Sequence, residues 1–293
     1  MKNETRERKI LRFDVTEKSM AEEKIVITPP GKGVNFSFAE IWDYRELLYF
    51  LVWKNIKIRY KQTIIGVAWA VIQPFLTMVI FSLFFGKLVK IPSDGFPYPL
   101  FYYSALLPWI FFANALTNTT NIMVENQRLI TKVYFPRIFL PLSSVLSVLL
   151  DFVIASSILI FMMLFYGIIP GWNFIFFPLF VLMIIITALG VGLWFSALNA
   201  LFRDFRYTTA FIVQFWMFAS PVIYPSSMVP EKWQWLYGLN PMAGVIEGFR
   251  WAVLGKGKPP GIIFFVSFSI TFMILIGGIL FFQRMETTIA DRV

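Results

Sequence analysis

The sequence predicts an all-α polytopic membrane protein with six transmembrane helices. An N-terminal amphipathic helix precedes the spans, and a re-entrant external helical hairpin separates spans 5 and 6. Two observations predict this fold class. Hydrophobic residues fill 58% of the 293 positions and charged residues only 15%, with a mean hydropathy of +0.69, whereas charged residues make up about a quarter of an ordinary soluble domain. The Lys and Arg residues flank long apolar segments, as they do around membrane spans.

The amphipathic helix covers 38–62 and follows a polar tail, 1–37, which we expect to be a largely disordered cytoplasmic segment. Its charged residues fall within an arc of about 80° on a helix, opposite an apolar face. Such a helix should lie flat on the membrane surface. Its basic residues Lys54, Lys57, Arg59 and Lys61 precede the first span directly, which places the N-terminus in the cytoplasm. A soluble helix followed by a buried core helix is disfavoured because more apolar spans follow.

Six apolar segments are predicted to cross the membrane, each near the twenty residues that a hydrocarbon core requires. They cover about 64–86, 100–123, 140–166, 174–202, 207–224 and 261–282 within a transmembrane domain of 63–284, and a short tail, 285–293, follows. Twenty Lys and Arg residues fall on the segments assigned to the cytoplasm and six on the external segments. This asymmetry predicts that both termini are cytoplasmic.

Two spans contain polar residues that need partners. Span 2 carries polar residues at helical spacing, which we call the polar stripe: Asn114, Thr117, Asn118 and Asn121. The polar stripe must face protein or a water-filled path. Hydrogen bonding to other helices is its favoured use. Asp151 lies roughly 16 Å below the cytoplasmic end of span 3. We expect Asp151 to face inward and pack against Ser or Asn partners, so that Asp151→Asn leaves transport largely intact. A proton relay is the alternative.

Two connections are predicted to hold short helices. Segment 125–139 is too charged to insert, so it forms a cytoplasmic loop whose helix stops before Pro136. Segment 225–260 is too polar to cross and too apolar for a free loop. Pro230 can begin its first helix, while Asn240-Pro241 reads as N-cap and first position of a second helix that closes at Gly255. The apolar character of these helices predicts the re-entrant hairpin, buried against protein.

The residue content excludes several kinds of chemistry. The chain has no Cys and no His, so we expect no thiolate or histidine catalysis and no metal site of the usual ligands. It also lacks a Gly-rich phosphate-binding loop ending in Gly-Lys-Ser or Gly-Lys-Thr. We therefore expect no catalytic residues and no nucleotide hydrolysis. The net charge of +9 reflects membrane topology, so no nucleic-acid partner is expected.

Five sequence pieces occur in order along the chain. They are Arg59-Tyr60-Lys61-Gln62-Thr63 with Gly66, Trp69 and Pro74; Thr131-Lys132-Val133-Tyr134-Phe135-Pro136-Arg137; Phe202-Arg203-Asp204; Ser220-Pro221-Val222-Ile223-Tyr224; and Asn240-Pro241 with Arg250. Together they resemble the membrane subunits of ABC-2 type polysaccharide exporters, those of O-antigen (for lipopolysaccharide), teichoic acid and capsule export. The resemblance covers about 38–284, nearly the whole chain.

The resemblance implies partners and a location. Permeases of this family are homodimers in the bacterial cytoplasmic (inner) membrane, associated with two copies of an ABC ATPase subunit, so ATP and Mg²⁺ would bind that partner and no cofactor would bind this chain. The substrate would be a lipid-linked polysaccharide. Segment 125–139 would be the coupling loop against the ATPase, with the amphipathic helix touching it too. The expected coupling residues are Glu125, Arg128, Leu129, Thr131, Lys132, Tyr134, Phe135 and Arg137.

By the same resemblance, spans 1 and 5 would line a glycan channel and the hairpin would shape its external mouth. Sugar rings have apolar C–H faces, so an aromatic wall can hold a glycan through many weak contacts and still let it slide. Ten aromatic residues are the expected lining: Trp69, Phe75, Phe81, Phe84 and Phe85 on span 1, with Phe211, Phe215, Trp216, Phe218 and Tyr224 on span 5.

Other functions stay open at this stage. An ABC-2 exporter of a small drug or lipid would share the fold, although the aromatic content and the run from Arg59 to Pro74 favour a glycan. An ion-coupled secondary transporter or flippase usually needs several intramembrane ionisable groups, and Asp151 alone is available. A membrane-embedded transferase is disfavoured because His, Cys and paired intramembrane acids are lacking.

Overall fold

Helices and the connections between them make up the residues that the computed structural model describes, which are 42–61, 66–133, 135–255 and 259–292. Its α-helices are α1 Arg45–Lys61, α2 Ala68–Phe81, α3 Tyr98–Glu125, α4 Gln127–Lys132, α5 Phe139–Phe165, α6 Phe177–Leu201, α7 Phe205–Phe218, α8 Gln234–Tyr237, α9 Pro241–Leu254 and α10 Ile262–Arg292. A π-helical stretch, Ser82–Leu88, extends α2, and a 3₁₀ turn, Trp172–Phe176, precedes α6. The predicted all-α fold is confirmed. The predicted tail 1–37 lies outside the described residues.

Five helical segments are long and apolar enough to cross a membrane. They are Ala68–Leu88, Tyr98–Glu125, Phe139–Phe165, Trp172–Leu201 and Ile262–Glu286, and they coincide with predicted spans 1, 2, 3, 4 and 6. The predicted fifth span coincides with α7, whose 14 residues fall short of the twenty or so that a crossing needs. Pro221 ends the helical run because proline cannot donate a backbone hydrogen bond. Crossing by this segment stays a prediction.

Helix α3 is the centre of the bundle. Within its apolar window 78% of the residues are buried inside the chain, against 11% for α2 and its extension. Tyr102, Tyr103 and Phe112 are fully buried, and α3 contacts α2, α5, α6, α7 and α9. The largest part of the core therefore surrounds α3, whereas α2 lies at the edge.

Helices α6 and α10 pack closely because both carry glycines at their contact. A Cβ atom on Gly278 would lie 2.7 Å from the carbonyl oxygen of Gly190. Polar groups add to this contact, since the Thr187 and Thr271 hydroxyls are 3.2 Å apart and Trp194 Nε1 donates to the Ile274 carbonyl at 3.1 Å. Small residues that let two backbones approach are typical of membrane helix pairs.

The segment between α7 and α10 folds as the sequence predicts. After Pro230 come a 3₁₀ turn and the four-residue α8, and α9 begins with Asn240 as N-cap, whose Oδ1 accepts from Met242 N at 3.0 Å. Gly255 closes α9 in the left-handed conformation, with φ of 69°. Twelve of the 14 residues of α9 are buried, so this helix belongs to the core. Insertion into the outer leaflet stays a prediction.

Helix α10 continues past the predicted end of span 6 at 282 and reaches Arg292. The residues after Phe282 include several good helix formers and no Gly or Pro, so charge alone does not end the helix. The C-terminal segment is therefore helical up to Arg292.

Candidate functional site

A cavity of about 660 Å³ lies between α2, α3 and α5, beside the last turn of α1. Six polar or charged side chains line it: Arg59, Tyr60, Gln73, Asn114, Asn118 and Asp151. Its apolar lining includes Trp69, Pro74, Phe111 and Phe152. The cavity thus combines hydrogen-bonding groups with aromatic surface, which suits an amphiphilic or glycan-like ligand better than a purely apolar one.

Asp151 is held by two residues from outside the membrane-length helices. Arg59 Nη1 donates to Asp151 Oδ2 in an ion pair, and the Tyr60 hydroxyl donates to Asp151 Oδ1. Asp151 lies twelve residues into α5, about 18 Å along the helix axis. The expectation that Asp151 faces inward agrees with its position in the cavity wall. The expectation of Ser or Asn partners is wrong, because a charged carboxylate finds a stronger partner in the guanidinium of Arg59.

Helix α1 lies alongside the first half of α5 instead of resting wholly on a surface. Asn55 Nδ2 donates to Ser143 Oγ at 3.3 Å, and Lys54 Nζ donates to Asn126 Oδ1 at 2.8 Å. Leu51 is buried at 2% exposure, on the apolar face that the sequence predicts. Of the basic residues singled out in the sequence, Lys57 and Lys61 are exposed, whereas Lys54 and Arg59 bind other elements.

The polar stripe does not bond other helices in the described part of the chain, contrary to the favoured prediction. Thr117 Oγ1 donates to the Ala113 carbonyl at 2.8 Å and Asn121 Nδ2 to the Thr117 carbonyl at 3.0 Å, both within α3. Thr117 is exposed, and Asn114 and Asn118 line the cavity. A row of polar side chains thus stays open in the second half of a membrane-length helix, toward the coupling loop.

The ten aromatic positions predicted to line a channel divide into two groups. Most are exposed on the surface of this single chain: Trp69, Phe75, Phe84, Phe211, Phe215 and Phe218. The others pack inside or half inside the core: Phe81, Phe85, Trp216 and Tyr224. Trp69 is the member that also lines the cavity.

The buried members have internal partners. Phe81 stacks edge-on against Tyr102 and Phe85 with centroids 5.9 and 5.3 Å away. Trp216 packs against Phe112 and donates from Nε1 to Asn240 Oδ1 at 2.8 Å. These contacts hold α2 and α7 against α3 and α9. A role of the aromatic set in lining a channel stays a prediction.

The coupling loop presents one face outward. Helix α4 ends at Lys132, before Pro136, as the sequence predicts. The exposed coupling residues are Glu125, Arg128, Thr131 and Lys132. Leu129 is half-buried, Phe135 is buried, and Arg137 binds Glu286 of α10 through the backbone carbonyl and the carboxylate. Tyr134 lies outside the described residues. The outward face is therefore charged and hydroxylated, while Phe135 and Arg137 fix the loop to the bundle.

Sequence reasoning missed the polar network at the opposite end of the bundle. Asn240 caps α9 and also donates from Nδ2 to the Ala219 carbonyl and to Ser220 Oγ, at 3.0 and 2.9 Å. Arg250 is buried; it donates to the Pro221 carbonyl at 2.8 Å and to Glu247 at 3.1 Å. The Arg250 guanidinium also lies 4.0 Å from the Phe101 ring centroid. Burial lowers the pKa of Arg250, and the Glu247 carboxylate opposes that shift.

The membrane-length helices form a bundle with an amphipathic cavity and an outward charged loop, an arrangement that suits a multi-span membrane transport subunit. The chain belongs to the ABC-2 type transporter family, whose model matches residues 46–254. The matched region runs from α1 to the end of α9, so it includes the cavity, the coupling loop and the polar network. Membership in this family implies a permease subunit that works with an ABC ATPase subunit.

Several characterised relatives are similar over most of their length. The O-antigen export system permease protein RfbA of Klebsiella pneumoniae is 31% identical over 206 residues, which are 70% of this chain and 79% of the relative. The protein of the same name from Myxococcus xanthus is 30% identical over 213 residues, 72% of this chain and 81% of the relative. The polysialic acid transport protein KpsM of Escherichia coli is 24% identical over 207 residues, 69% and 78% of the two chains.

Proposed function

We propose that the chain is the permease subunit of an ATP-driven exporter of a lipid-linked polysaccharide, of the O-antigen, teichoic acid or capsule type. The observation that carries this proposal is the polar stripe, which lies open on α3 beside the cavity. Polar side chains at that depth need water, protein or a hydrated substrate as neighbours. The names of the relatives, which refer to O-antigen export and polysialic acid transport, support a polysaccharide.

The proposed channel forms between two copies of this chain. In a single chain the aromatic residues Phe211, Phe215 and Phe218 of α7 are exposed, and α2 is covered over only a small part. A second copy would cover these surfaces and enclose the polar stripe in a water-filled path. Aromatic rings and amide side chains along such a path suit a glycan that must slide through it.

The proposed source of energy is an ABC ATPase subunit bound to the outward face of the coupling loop, one on each permease copy. ATP and Mg²⁺ belong to that subunit. Arg128 and Lys132 supply exposed positive charge, and α1 lies next to the loop through the bond between Lys54 and Asn126. In the proposed arrangement the loop and both termini lie in the cytoplasm, and the bundle lies in the bacterial inner membrane.

A second candidate function is export of a small amphiphilic molecule, such as a drug or lipid. The cavity favours it, since about 660 Å³ within one chain falls in the range of about 300–1,000 Å³ that is usual for small-molecule sites. A polysaccharide needs a continuous path, which a single cavity does not supply.

The test is transport by the complete complex in inverted membrane vesicles. We expect the lipid-linked polysaccharide to be translocated only when this chain, the ATPase subunit and ATP are all present. Transport driven by this chain without the ATPase would contradict the proposal. If small amphiphiles and not the glycan stimulate ATP hydrolysis and are moved, the second candidate is correct.

A further inference from the structure

We propose that α1 is a lever that carries movement of the coupling loop to the cavity, and that Arg59, Tyr60 and Asp151 form a clasp at the cavity end of this lever. When the clasp is closed, the last turn of α1 forms part of the cavity wall. When the lever moves with the loop, the clasp opens and the cavity widens. The inference rests on the proposed contact between the coupling loop and an ATPase subunit.

The clasp joins two elements that differ in their depth in the bundle. Among the described membrane-length helices, Asp151 is the ionisable residue that lies far from either helix end. Its partners Arg59 and Tyr60 both belong to the last turn of α1, and all three side chains line the cavity. A change in the position of this turn therefore changes the shape of the cavity directly.

The other attachment of the lever is at the coupling loop. Lys54 Nζ donates to Oδ1 of Asn126, the residue between α3 and α4. Asn126 is itself buried, and its backbone carbonyl accepts from Leu129 N and Ile130 N at 2.9 and 3.1 Å, so its position is coupled to that of the loop helix α4. Lys54 and Arg59 are five residues apart on one helix, a separation of about 7.5 Å along its axis. Because a helix is stiff over that length, a displacement of Lys54 also displaces Arg59.

The lever packs against the bundle along one side and is exposed along the other, so it can move without unfolding. Leu51 is the residue of α1 that is fully buried, and the bond between Asn55 and Ser143 adds one polar contact to α5. Elements with few buried contacts are the ones that move at low free-energy cost. The clasp can also open, because the Arg59 and Asp151 side chains keep 29% and 18% of their surface exposed and water in the cavity can replace the partner.

Two cross-links test whether α1 moves with the loop and away from α5. The chain has no cysteine, so N55C/S143C and K54C/N126C each create one defined pair, joined by a short bis-thiosulfonate reagent that dithiothreitol cleaves. In the complex with the ATPase, linking N55C to S143C should lower export about tenfold relative to the same protein before linking, and dithiothreitol should restore it. The unlinked K54C/N126C protein lacks the attachment of the lever to the loop and should export less than the unsubstituted complex. Linking K54C to N126C replaces that attachment and should bring export back to within about twofold of the unsubstituted complex, because those residues move together.

The two pairs have opposite expected outcomes, so either can overturn the proposal. Full export with N55C linked to S143C would show that α1 does not leave α5. Equal loss with both links would show that α1 does not move with the loop. A second measurement, the linking rate with a non-hydrolysable ATP analogue bound, should fall for N55C/S143C and stay unchanged for K54C/N126C. That rate needs no substrate, so it separates failure of the lever from failure of the proposed polysaccharide export.

Substitutions at Arg59 and Asp151 test the clasp directly. We expect Arg59→Gln and Asp151→Asn each to lower export about tenfold while the complex assembles and hydrolyses ATP, because the loop then moves without pulling the cavity wall. Arg59→Lys keeps the charge and should retain most of the export. A merely structural role would lower the amount of complex in all variants and would not separate ATP hydrolysis from export. Unchanged export in Asp151→Asn would overturn the clasp.

Discussion

At the scale of single residues, Arg250 shows how one side chain connects distant parts of the chain. It reaches from α9 to the Pro221 carbonyl after α7 and to the face of Phe101 in α3. The Arg250 guanidinium also donates to the carboxylate of Glu247, one turn earlier on α9. The residue therefore fixes the irregular segment after α7 to the centre of the bundle.

Replacing Arg250 should destabilise the protein. Arg250→Gln leaves Glu247 and the Pro221 carbonyl without their donor in a buried place, which costs on the order of 2 kcal/mol. The midpoint of thermal unfolding in detergent, followed by tryptophan fluorescence, should fall. Lys232→Gln, an exposed change of the same charge, should leave the midpoint in place, and equal midpoints for both variants would contradict the prediction.

The sequence predicts local features, such as the start and end of a helix, better than it predicts the partners of buried charges. The N-cap at Asn240 and the stop at Gly255 depend on neighbouring residues, and both are confirmed. The partner of Asp151 depends on a residue 92 positions away, which no local pattern indicates. The link from Arg250 to the Pro221 carbonyl was missed for the same reason, since Pro221 lies 29 positions earlier in the chain.

At the scale of helices, the contact between α6 and α10 depends on two glycines. Gly278→Ala places a Cβ against the backbone oxygen of Gly190, and a backbone neighbour cannot move aside as a flexible side chain can. We expect a loss of about 1–3 kcal/mol in stability, measured as a lower unfolding midpoint. Gly261→Ala is the matched control, because nothing lies within 4 Å of its Cβ position, and the prediction fails if both variants unfold alike.

The coupling loop gives a second prediction at this scale. Arg128→Glu with Lys132→Glu reverses two exposed charges on the outward face without touching Phe135 or Arg137, which hold the loop in place. We expect the ATPase subunit to stop copurifying with the permease, since opposite potentials guide such contacts.

The control for this loop variant is Arg203→Glu with Arg206→Glu, the same change on exposed residues at the start of α7. This variant should still copurify with the ATPase. Loss of the ATPase from both variants would mean that net charge, and not the coupling loop, governs the association.

Helix boundaries followed from the sequence where turn residues mark them. Helix α4 stops before Pro136 and α9 closes at Gly255, as predicted. The continuation of α10 to Arg292 was not predicted, because the change from apolar to charged residues marks the expected membrane boundary and not a helix end. Likewise, the depth of α1 depends on its bonds to α5, which its amphipathic pattern does not contain.

At the scale of the whole molecule, the open polar stripe predicts water inside the assembled transporter. A single cysteine at Thr117, on the stripe, should react with a membrane-impermeant maleimide in inverted vesicles, because a thiol needs water to form the reactive thiolate. Val153→Cys is the control, an exposed position on α5 outside the cavity lining. It should face lipid and stay unlabelled, and equal labelling of both would contradict an aqueous path at the stripe.

Helix α2 is little buried by its own chain, and this affects the stability of an unassembled subunit in the cell. A span with 11% of its apolar window buried by its own chain contains Gln73 and Thr77 in a helix that few neighbours hold in place. A newly made subunit that has met no companion thus presents a poorly supported helix to membrane proteases. We expect orphan copies to be degraded, so that the amount of the transporter is set by its scarcest component.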